Sequence, residues 1–547
     1  MRQTKEFMIE KDWWKRSVVY QIYPKSFLDS NRDGIGDING IIRKLDYIQK
    51  LGADVLWLCP VYQSPQVDNG YDISDYTQIA EQYGTMHDME NLIQECKVRG
   101  IKLIMDLVVN HTSDQHPWFV ESRKSKNNAY RDFYVWRDEP NELTSNFGGS
   151  AWAYDASTGQ YYLHFYSKQQ PDLNWENPKV RAAVYHMMNF WIEKGISGFR
   201  MDVIDLIGKE PDRGIKENGP KLHDYLKEMN RQTFGAKHLL TVGETWGATP
   251  EIGHLYSDEA REELSMVFQF EPMNLDKQPG KHRWDLKKLD LTDLKDVMTK
   301  WQQSFASSGW NSLFWNNHDL PRIVSRWGND GPYRERSAKM LATLLHGMKG
   351  TPYIYQGEEI GMTHAKFASI DDYPDIETQN MYRARIAAGY SEQEIMHSIQ
   401  MKARDNARTP MQWDERENGG FSSVRPWMKV NPNYHTINVF NNLADPNSVF
   451  YHYQKLIALR KEKAIFTEGT YELLDRDHPN VYAYKRVMGD QELLVVCNFY
   501  EQSAVFQYDM GQVRDIRVLL SNYPNSPIQL ERFELRPYEA VIYEIKK

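Results

Sequence analysis

The chain has 547 residues, of which 41% are hydrophobic and 26% are charged, and its formal net charge is −9. This length predicts two or three domains rather than one simple core. A net negative charge with dispersed Lys and Arg argues against nucleic-acid binding and is compatible with a neutral substrate.

Two features of the chain bear on its location. The N-terminal segment MRQTKEFMIEKDWWKR contains no apolar signal core, and no later stretch has the apolar length of a membrane span. The three cysteines, Cys59, Cys96 and Cys497, are scattered and lack metal-ligand spacing, which is typical of a reducing compartment. We therefore expect a cytoplasmic protein with no membrane anchor.

The N-terminal part alternates short apolar runs with amphipathic segments. The runs SVVYQIYP (17–24), VLWLCP (55–60) and IKLIMDLVVN (101–110) predict strands. Between them, GIIRKLDYIQKLG (40–52) and DMENLIQECKVRG (88–100) have helical periodicity, and each ends in glycine. Alternating strands and helices predict a parallel sheet.

The alternation stops between residues 112 and 174, a polar and aromatic region too long for an ordinary loop. It resumes with Asn177 as N-cap and Pro178 as the first residue of a helix that ends at Gly195. Further strands are predicted near 197–202, 239–243, 265–270, 311–316 and 352–356.

These elements predict an α/β fold with three units. Residues 12–111 and 175–466 would form a (β/α)8 TIM barrel, with its chemistry at the carboxyl ends of the strands. Residues 112–174 would be a subdomain B inserted after strand 3. Short β-rich segments between 467 and 547 predict a C-terminal antiparallel β-sandwich domain.

Three acidic residues end three of the apolar runs: Asp202 in GISGFRMDVI, Glu244 in LLTVGETWG and Asp319 in SLFWNNHDLPR. A charge at the end of a buried strand costs desolvation free energy unless a site uses it. Each acid also lies beside a cationic or aromatic residue, namely Arg200, Trp246 and His318. The pattern therefore predicts a catalytic site at one rim of the barrel.

With DLVVNH (106–111), these segments resemble the ordered motifs of the α-amylase family of glycoside hydrolases. The segment QPDLNWE (170–176) resembles the oligo-1,6-glucosidase group of that family. The segments DVIDLIGK, GETWGATPEI and RDNARTPMQWD are similar to those of glucan 1,6-α-glucosidases, also called dextran glucosidases. The resemblance covers nearly the whole chain.

The resemblance implies roles for the three acids. Asp202 matches the nucleophile and Glu244 the acid/base, while Asp319 is expected to bind sugar hydroxyls and favour a distorted ring. Retaining cleavage requires the first two carboxylates about 5 to 5.5 Å apart. Arg200 would keep Asp202 ionised, and burial beside Trp246 would keep Glu244 protonated.

The resemblance also implies a set of substrate-binding residues. His111 and His318 would bind hydroxyls of the first sugar, and Tyr71 would be its stacking platform. Asp68 and Arg404 would close the pocket behind a terminal glucose. The leaving-group side would be shaped by Val203, Trp246, Glu377 and Arg283, which stands where the similar enzyme has a lysine.

The segment DSNRDGIGD places oxygen-bearing side chains at alternate positions around a glycine turn: Asp29, Asn31, Asp33 and Asp37. This is the first part of a calcium loop, but Gly40 occupies the position of the bidentate acid. The resemblance assigns the loop to a structural Ca²⁺, with the Ile35 carbonyl as a further ligand. An ion-free Asx turn is the alternative.

These observations favour a retaining exo-α-1,6-glucosidase acting on isomalto-oligosaccharides and dextran fragments, small-molecule substrates, with a monomer expected. Trehalose-6-phosphate hydrolase and α-1,4-glucosidase are the alternatives, disfavoured by TWGATPEI after Glu244 and by Val203. A sucrose isomerase and a non-catalytic carbohydrate-binding homologue are more remote. The latter is disfavoured because all three acids are present.

Overall fold

The computed structural model describes residues 11–547. Most of the N-terminal segment expected to lack a signal core therefore lies outside the described residues. Eight parallel strands surround a barrel: β1 (Val19–Ile22), β2 (Val55–Leu58), β3 (Lys102–Leu107), β4 (Gly198–Met201), β5 (Leu240–Thr245), β6 (Met266–Gln269), β7 (Ser312–Leu313) and β8 (Thr351–Tyr355). The sheet order is 6-5-4-3-2-1-8-7, and a bridge between Val267 and Asn311 joins β6 to β7. The predicted TIM barrel is confirmed.

The barrel strands form because their apolar runs are buried on both faces, as a parallel sheet covered by helices requires. Every residue of β1, β2 and β4 is buried. Strand register then decides which side chains meet at the rim. Asp106 on β3 is paired with Arg200 on β4, and Arg200 is paired with Val242 on β5.

Helices cover the outside of the barrel. The segment predicted as one helix over 40–52 forms two, Ile38–Ile42 and Leu45–Leu51, and the second ends at the predicted Gly52. The principal helices are Ile38–Ile42, Leu45–Leu51, Met86–Val98, Pro178–Lys194, Leu222–Gln232, Pro250–Ser257, Leu291–Ser304 and Arg334–His346. Asn177 accepts a hydrogen bond from the Lys179 N–H, so it caps its helix as expected. Gly195 ends that helix in the left-handed conformation, with φ 102°.

The region between β3 and β4 contains a short helix, Pro117–Ser122, and an antiparallel sheet of Trp136–Arg137, Trp152–Asp155 and Gln160–Leu163. Its apolar side chains pack against the turn that follows β4, where Leu163 and Phe165 share a cluster with Val203 and Leu206. This inserted region therefore contacts the chain directly after Asp202.

After β8 the chain forms the helices Ile376–Ala387, Glu392–Lys402, Asp405–Arg408, Val439–Ala444 and Val449–Glu462. A five-stranded antiparallel sheet follows, made of Thr470–Leu474, Val481–Met488, Gln491–Asn498, Asp515–Ser521 and Ala540–Lys546. A second sheet pairs Ala504–Phe506 with Phe533–Leu535. The two sheets share an apolar core that includes Leu494, Phe506 and Phe533.

Cys59, Cys96 and Cys497 are all buried and unpaired in the part of the chain that the structure describes. None of the helices between residues 11 and 547 has the length and apolar character needed to cross a membrane.

Candidate active site

A cavity of about 530 Å³ opens among the loops that follow the barrel strands. The three predicted catalytic acids line it. Eight of the predicted substrate-binding residues also line it: Asp68, Tyr71, His111, Val203, Trp246, Arg283, Glu377 and Arg404. The other two, Arg200 and His318, are fully buried and contact the acids from behind.

Arg200 lies among three carboxylates. Its Nη1 donates to Asp202 Oδ1 and to Asp106 Oδ1, each at 2.7 Å, and its Nη2 lies 2.6 Å from Glu244 Oε2. The register of β3 and β4 accounts for the contact with Asp106. Asp202 and Glu244 are therefore held at the two ends of one guanidinium group.

Arg200 opposes the effect of burial on the Asp202 carboxyl but does not outweigh it. Burial raises the pKa of Asp202 well above its usual value, Arg200 lowers it, and the Glu244 and Asp106 carboxylates raise it again. One buried cation shared by three carboxylates does not neutralise them all. Arg200 therefore favours the expected ionised form of Asp202, but against burial and two neighbouring acids.

Glu244 faces hydrogen-bond donors on both oxygens. Its Oε2 accepts from the Val203 backbone N–H at 3.0 Å, and its Oε1 accepts from Trp246 Nε1 at 3.1 Å. The Trp246 indole stacks on Phe270 with ring centroids 3.9 Å apart, and 40% of Trp246 is exposed. The Trp246 ring and the Glu244 carboxyl thus border the same part of the cavity.

Asp319 contacts three cationic side chains. His318 Nε2 lies 3.0 Å from its Oδ2, and Arg404 Nη1 and Arg408 Nη2 donate to its Oδ1 at 3.1 and 2.7 Å. Although burial raises it, His318 and Arg404 hold the pKa of Asp319 well below its usual value. Burial lowers the pKa of His318, but Asp319 outweighs it and raises it to about 10. Asp319 is therefore an anion at neutral pH.

Tyr71, in the cavity lining, contacts residues of both acid clusters. Its ring stacks on His318 with centroids 5.1 Å apart and an interplanar angle of 4°. Its hydroxyl donates to Asp106 Oδ2 at 3.0 Å, and Trp57 Nε1 donates to the same oxygen. Asp106 therefore orients both Arg200 and the Tyr71 ring.

Gln170 is fully buried and gathers three predicted residues. Its Nε2 lies 3.1 Å from Asp68 Oδ2 and 3.2 Å from both His111 Nε2 and the Tyr71 carbonyl oxygen. Burial lowers the pKa of His111 to about 4, so its imidazole is neutral at neutral pH. Through Gln170, the segment QPDLNWE thus contacts three residues of the cavity lining.

Arg404 is the second shared cation of the site. It lies near four carboxylates: Asp319 at 3.1 Å, Asp68 at 3.3 Å, Asp375 at 2.5 Å and Glu377 at 3.4 Å. Burial raises the pKa of Asp68 to about 6, although Arg404 and Arg408 lower it. Asp68 and Arg404, 336 positions apart in sequence, meet as a buried pair in the cavity lining.

The side chains of Arg283 and Glu377 meet in the cavity lining. Arg283 Nη1 lies 3.2 Å from Glu377 Oε2, and its Nη2 donates to the Lys402 carbonyl at 2.7 Å. Asp375 caps the helix Ile376–Ala387, which carries Glu377. Arg283 is therefore tied to the helices that follow β8.

Sequence reasoning did not single out several residues that organise the site: Asp106, Gln170, Asp205, Asp375 and Arg408. Asp106, Gln170, Asp205 and Arg408 stand inside motifs that carried the family resemblance, which was an available signal. Arg408 stands four residues after Arg404 on the helix Asp405–Arg408, so its direction follows from helical spacing. Asp205 and Asp375 have partners distant in sequence.

The calcium loop is a compact turn. Asp29 accepts backbone N–H groups of Asn31, Arg32 and Gly34 and the Ser422 hydroxyl. Asp37 caps the helix Ile38–Ile42 through the Gly40 N–H. The predicted donors are all oxygens, which fits Ca²⁺ chemistry. Between residues 11 and 547, no three His, Cys, Asp or Glu side chains gather as a metal site, so Ca²⁺ stays a prediction.

Comparison with known proteins bears on the whole arrangement. Residues 21–469 match the model of the α-amylase catalytic domain, and residues 471–542 match that of the maltogenic amylase C-terminal domain. The chain belongs to the α-amylase family. It is a glycoside hydrolase of this family, with the family's barrel and a C-terminal antiparallel domain.

Individual relatives within the α-amylase family align end to end with this chain. It is 56% identical to an oligo-1,6-glucosidase from Parageobacillus thermoglucosidasius, covering 98% of this chain and 100% of that protein. It is 57% identical to a glucan 1,6-α-glucosidase from Streptococcus pneumoniae with the same coverage. The trehalose-6-phosphate hydrolase structure from Bacillus licheniformis superposes with a TM-score of 0.95 at 50% identity, covering 98% of this chain and 100% of that one.

The Asp68→Asn variant tests how ionisation of Asp68, one of the carboxylates that contact Arg404, affects stability. The folded-state pKa of Asp68, about 6, lies above the unfolded value, so its contribution to stability is complete below about pH 4 and is lost as pH rises through 6. Asparagine does not ionise. The variant should therefore gain up to about 3 kcal/mol relative to wild type between pH 4 and 7, measured by urea unfolding.

Asp319→Asn is the matched control, because the pKa of Asp319 is lowered rather than raised. Its stabilising contribution is present at neutral pH and is lost on acidification, so this variant should lose stability relative to wild type as pH rises. A stability difference for Asp68→Asn that does not change with pH would contradict the charge assignment.

Proposed function

We propose that this glycoside hydrolase is a retaining, exo-acting α-1,6-glucosidase that releases glucose from non-reducing ends of isomalto-oligosaccharides and dextran fragments. The observation that carries the proposal is the contrast between buried and exposed residues of the cavity lining. Asp68 and Arg404 form an ion pair in the lining and are each less than a tenth exposed, whereas Trp246, also in the lining, is 40% exposed. In this proposal the buried pair forms a closed end behind the terminal glucose, and Trp246 faces the leaving group. A cavity with one closed end admits a chain terminus and extends toward the leaving group.

Retention is supported by the way Arg200 holds the two acids. Asp202 and Glu244 contact the two terminal nitrogens of the same guanidinium, which limits their separation. Close carboxylates belong to the retaining mechanism, because an inverting enzyme leaves room for a water between them. In this proposal Asp202 attacks the anomeric carbon while Glu244 protonates the glycosidic oxygen. Glu244 then deprotonates the water that hydrolyses the glucosyl intermediate.

The linkage preference is supported by the names of the similar proteins and by Val203. The curated relatives quoted above are named as 1,6-glucosidases. Val203 follows the nucleophile and is 4% exposed in the cavity wall, where its bulk would meet the second sugar. A cytoplasmic location is supported by three buried, unpaired thiols. The monomeric state stays a prediction.

Asp202→Asn should lower kcat by about 10⁴-fold, because a neutral amide cannot form the glucosyl intermediate. Glu244→Gln should lower kcat for isomaltose by about 10²- to 10⁴-fold, yet spare the first step with an aryl glucoside whose leaving group needs no proton. Asp212→Asn, which changes an acid paired with Arg137 at the surface, is the control and should keep wild-type rates. Proton NMR should show α-glucose as the first product; β-glucose would rule out retention.

Isomaltotriose should give only glucose and isomaltose at early times, seen by chromatography, because the closed end admits a single residue. Val203→Ala should shift the ratio of 1,6 to 1,4 cleavage by about 10- to 200-fold at most, since it removes only apolar bulk. Val135→Ala, in the same apolar cluster but outside the cavity lining, is the matched control and should leave the ratio unchanged.

Assaying isomaltose, isomaltotriose, maltose and trehalose-6-phosphate side by side tests the linkage assignment. Wild-type enzyme that cleaves maltose as fast as isomaltose, or that prefers trehalose-6-phosphate, would place it in another branch of the family. Internal fragments released from dextran would contradict exo-action.

We also propose that the loop at residues 29–37 binds a structural Ca²⁺, with oxygen ligands from Asp29, Asn31, Asp33, Asp37 and the Ile35 carbonyl. The proposal is supported by the all-oxygen donor set on a tight turn. The loop follows β1 and its cited side chains lie outside the cavity lining, so the ion would not take part in catalysis.

Chelation should lower the melting temperature, and added Ca²⁺ should restore it, because an ion that binds only the folded state stabilises that state. Asp33→Ala should abolish this response while keeping catalytic rates at temperatures well below melting. If elemental analysis finds no calcium, and the melting temperature changes with neither chelator nor added Ca²⁺, the loop is an ion-free Asx turn.

A further inference from the structure

The turn directly after the nucleophile is strained. Val203 adopts the left-handed conformation, with φ 36° and ψ 46°. A β-branched residue rarely occupies that region because its side chain crowds the backbone. Such strain persists only where the surrounding structure imposes it, and it is concentrated at functional sites. The contacts of the turn therefore indicate the function of this strained conformation.

The turn makes two hydrogen bonds to the end of β5. The Val203 N–H donates to Glu244 Oε2 at 3.0 Å, and Asp205 Oδ2 accepts from the Trp246 backbone N–H at 3.0 Å. Trp246 in turn donates its indole N–H to Glu244 Oε1. The general-acid candidate is therefore held on one oxygen by the turn itself and on the other through a residue that Asp205 anchors.

Asp205 carries out this anchoring as a buried acid. It is 1% exposed, and burial, followed by the nearby Glu217 and Glu244 carboxylates, raises its pKa to about 8. This shift favours the neutral form of the Asp205 carboxyl, which limits the negative charge beside Glu244. An asparagine would have the same shape and would present the same acceptor to the Trp246 N–H.

We propose that Asp205 is a positioning residue for the general-acid step, acting through Trp246 to aim Glu244 at the leaving oxygen. The inference rests on the proposed glycosidase mechanism but not on the 1,6 linkage. With Asp205 in place, the Trp246 backbone and indole are held relative to the Glu244 carboxyl. Without it, Trp246 loses its backbone anchor and Glu244 loses the orientation of one oxygen.

The test compares natural and activated substrates, because only natural leaving groups require the proton from Glu244. Asp205→Ala should lower kcat/KM for isomaltose by roughly 10-fold or more and change kcat/KM for 2,4-dinitrophenyl α-glucoside less than about 3-fold, because kcat/KM reports the first step, in which Glu244 acts as the acid. Asp205→Asn should keep both values within about 3-fold of wild type, since it preserves the acceptor. The slope of log kcat/KM against leaving-group pKa should steepen only in the alanine variant.

Asp155→Ala is the matched control for simple loss of a buried acid. Asp155 is also 1% exposed, but it pairs with Arg123 in the inserted region and does not line the cavity. This variant should lower the melting temperature and leave the leaving-group slope unchanged. The positioning role would be overturned if the Asp205→Ala variant lowered kcat/KM equally for both substrates, or if it changed KM alone.

The same experiment separates this inference from the proposed function. If wild-type enzyme cleaves maltose rather than isomaltose, the 1,6 assignment fails, but the comparison between maltose and the aryl glucoside still tests Asp205. If wild type cleaves isomaltose and Asp205→Ala keeps the wild-type leaving-group slope, the positioning role fails while the proposed function stands.

Discussion

The arrangement of the cavity depends on one buried cation. Arg200 is fully buried and contacts Asp106, Asp202 and Glu244, which come from the ends of three adjacent strands. A buried guanidinium without partners would be strongly destabilising, so the three strands must bring their acids to it. The same requirement that stabilises the barrel at this point also holds the two proposed reacting carboxylates together.

A second shared cation, Arg404, organises another part of the cavity lining, and the pKa values of the acids in the two clusters are shifted in opposite directions. Asp319 is buried, but its neighbours His318, Arg404 and Arg408 hold its pKa well below the usual value. Asp202 is buried and shares its single cation with two other acids, and its pKa is raised. The number of cations facing each buried carboxylate therefore accounts for the direction of its pKa shift.

The barrel could be predicted from the sequence because its signals are local. Continuous apolar runs give buried parallel strands, and Asn177, Pro178 and Gly195 bound a helix as expected. The identity of the rim acids followed because each ends such a run. The pairing of Asp68 with Arg404 across 336 residues was expected only through the family resemblance. The further contacts of Arg404 with Asp319, Asp375 and Glu377 could not be predicted, because they depend on the whole fold. The left-handed turn at Val203 was equally hidden, because valine gives no local signal for positive φ.

The contacts of Val203 explain how its strained backbone conformation is stabilised. Val203 packs with Phe165 and Leu163 of the inserted region, while its N–H is held by Glu244. Apolar burial on one side and the hydrogen bond to the Glu244 carboxyl group on the other offset the conformational cost. The inserted region is thus coupled to the end of β5 through a single turn. Loosening that packing should disturb Glu244 before it disturbs Asp202, whose contact with Arg200 lies within β4 and its immediate end.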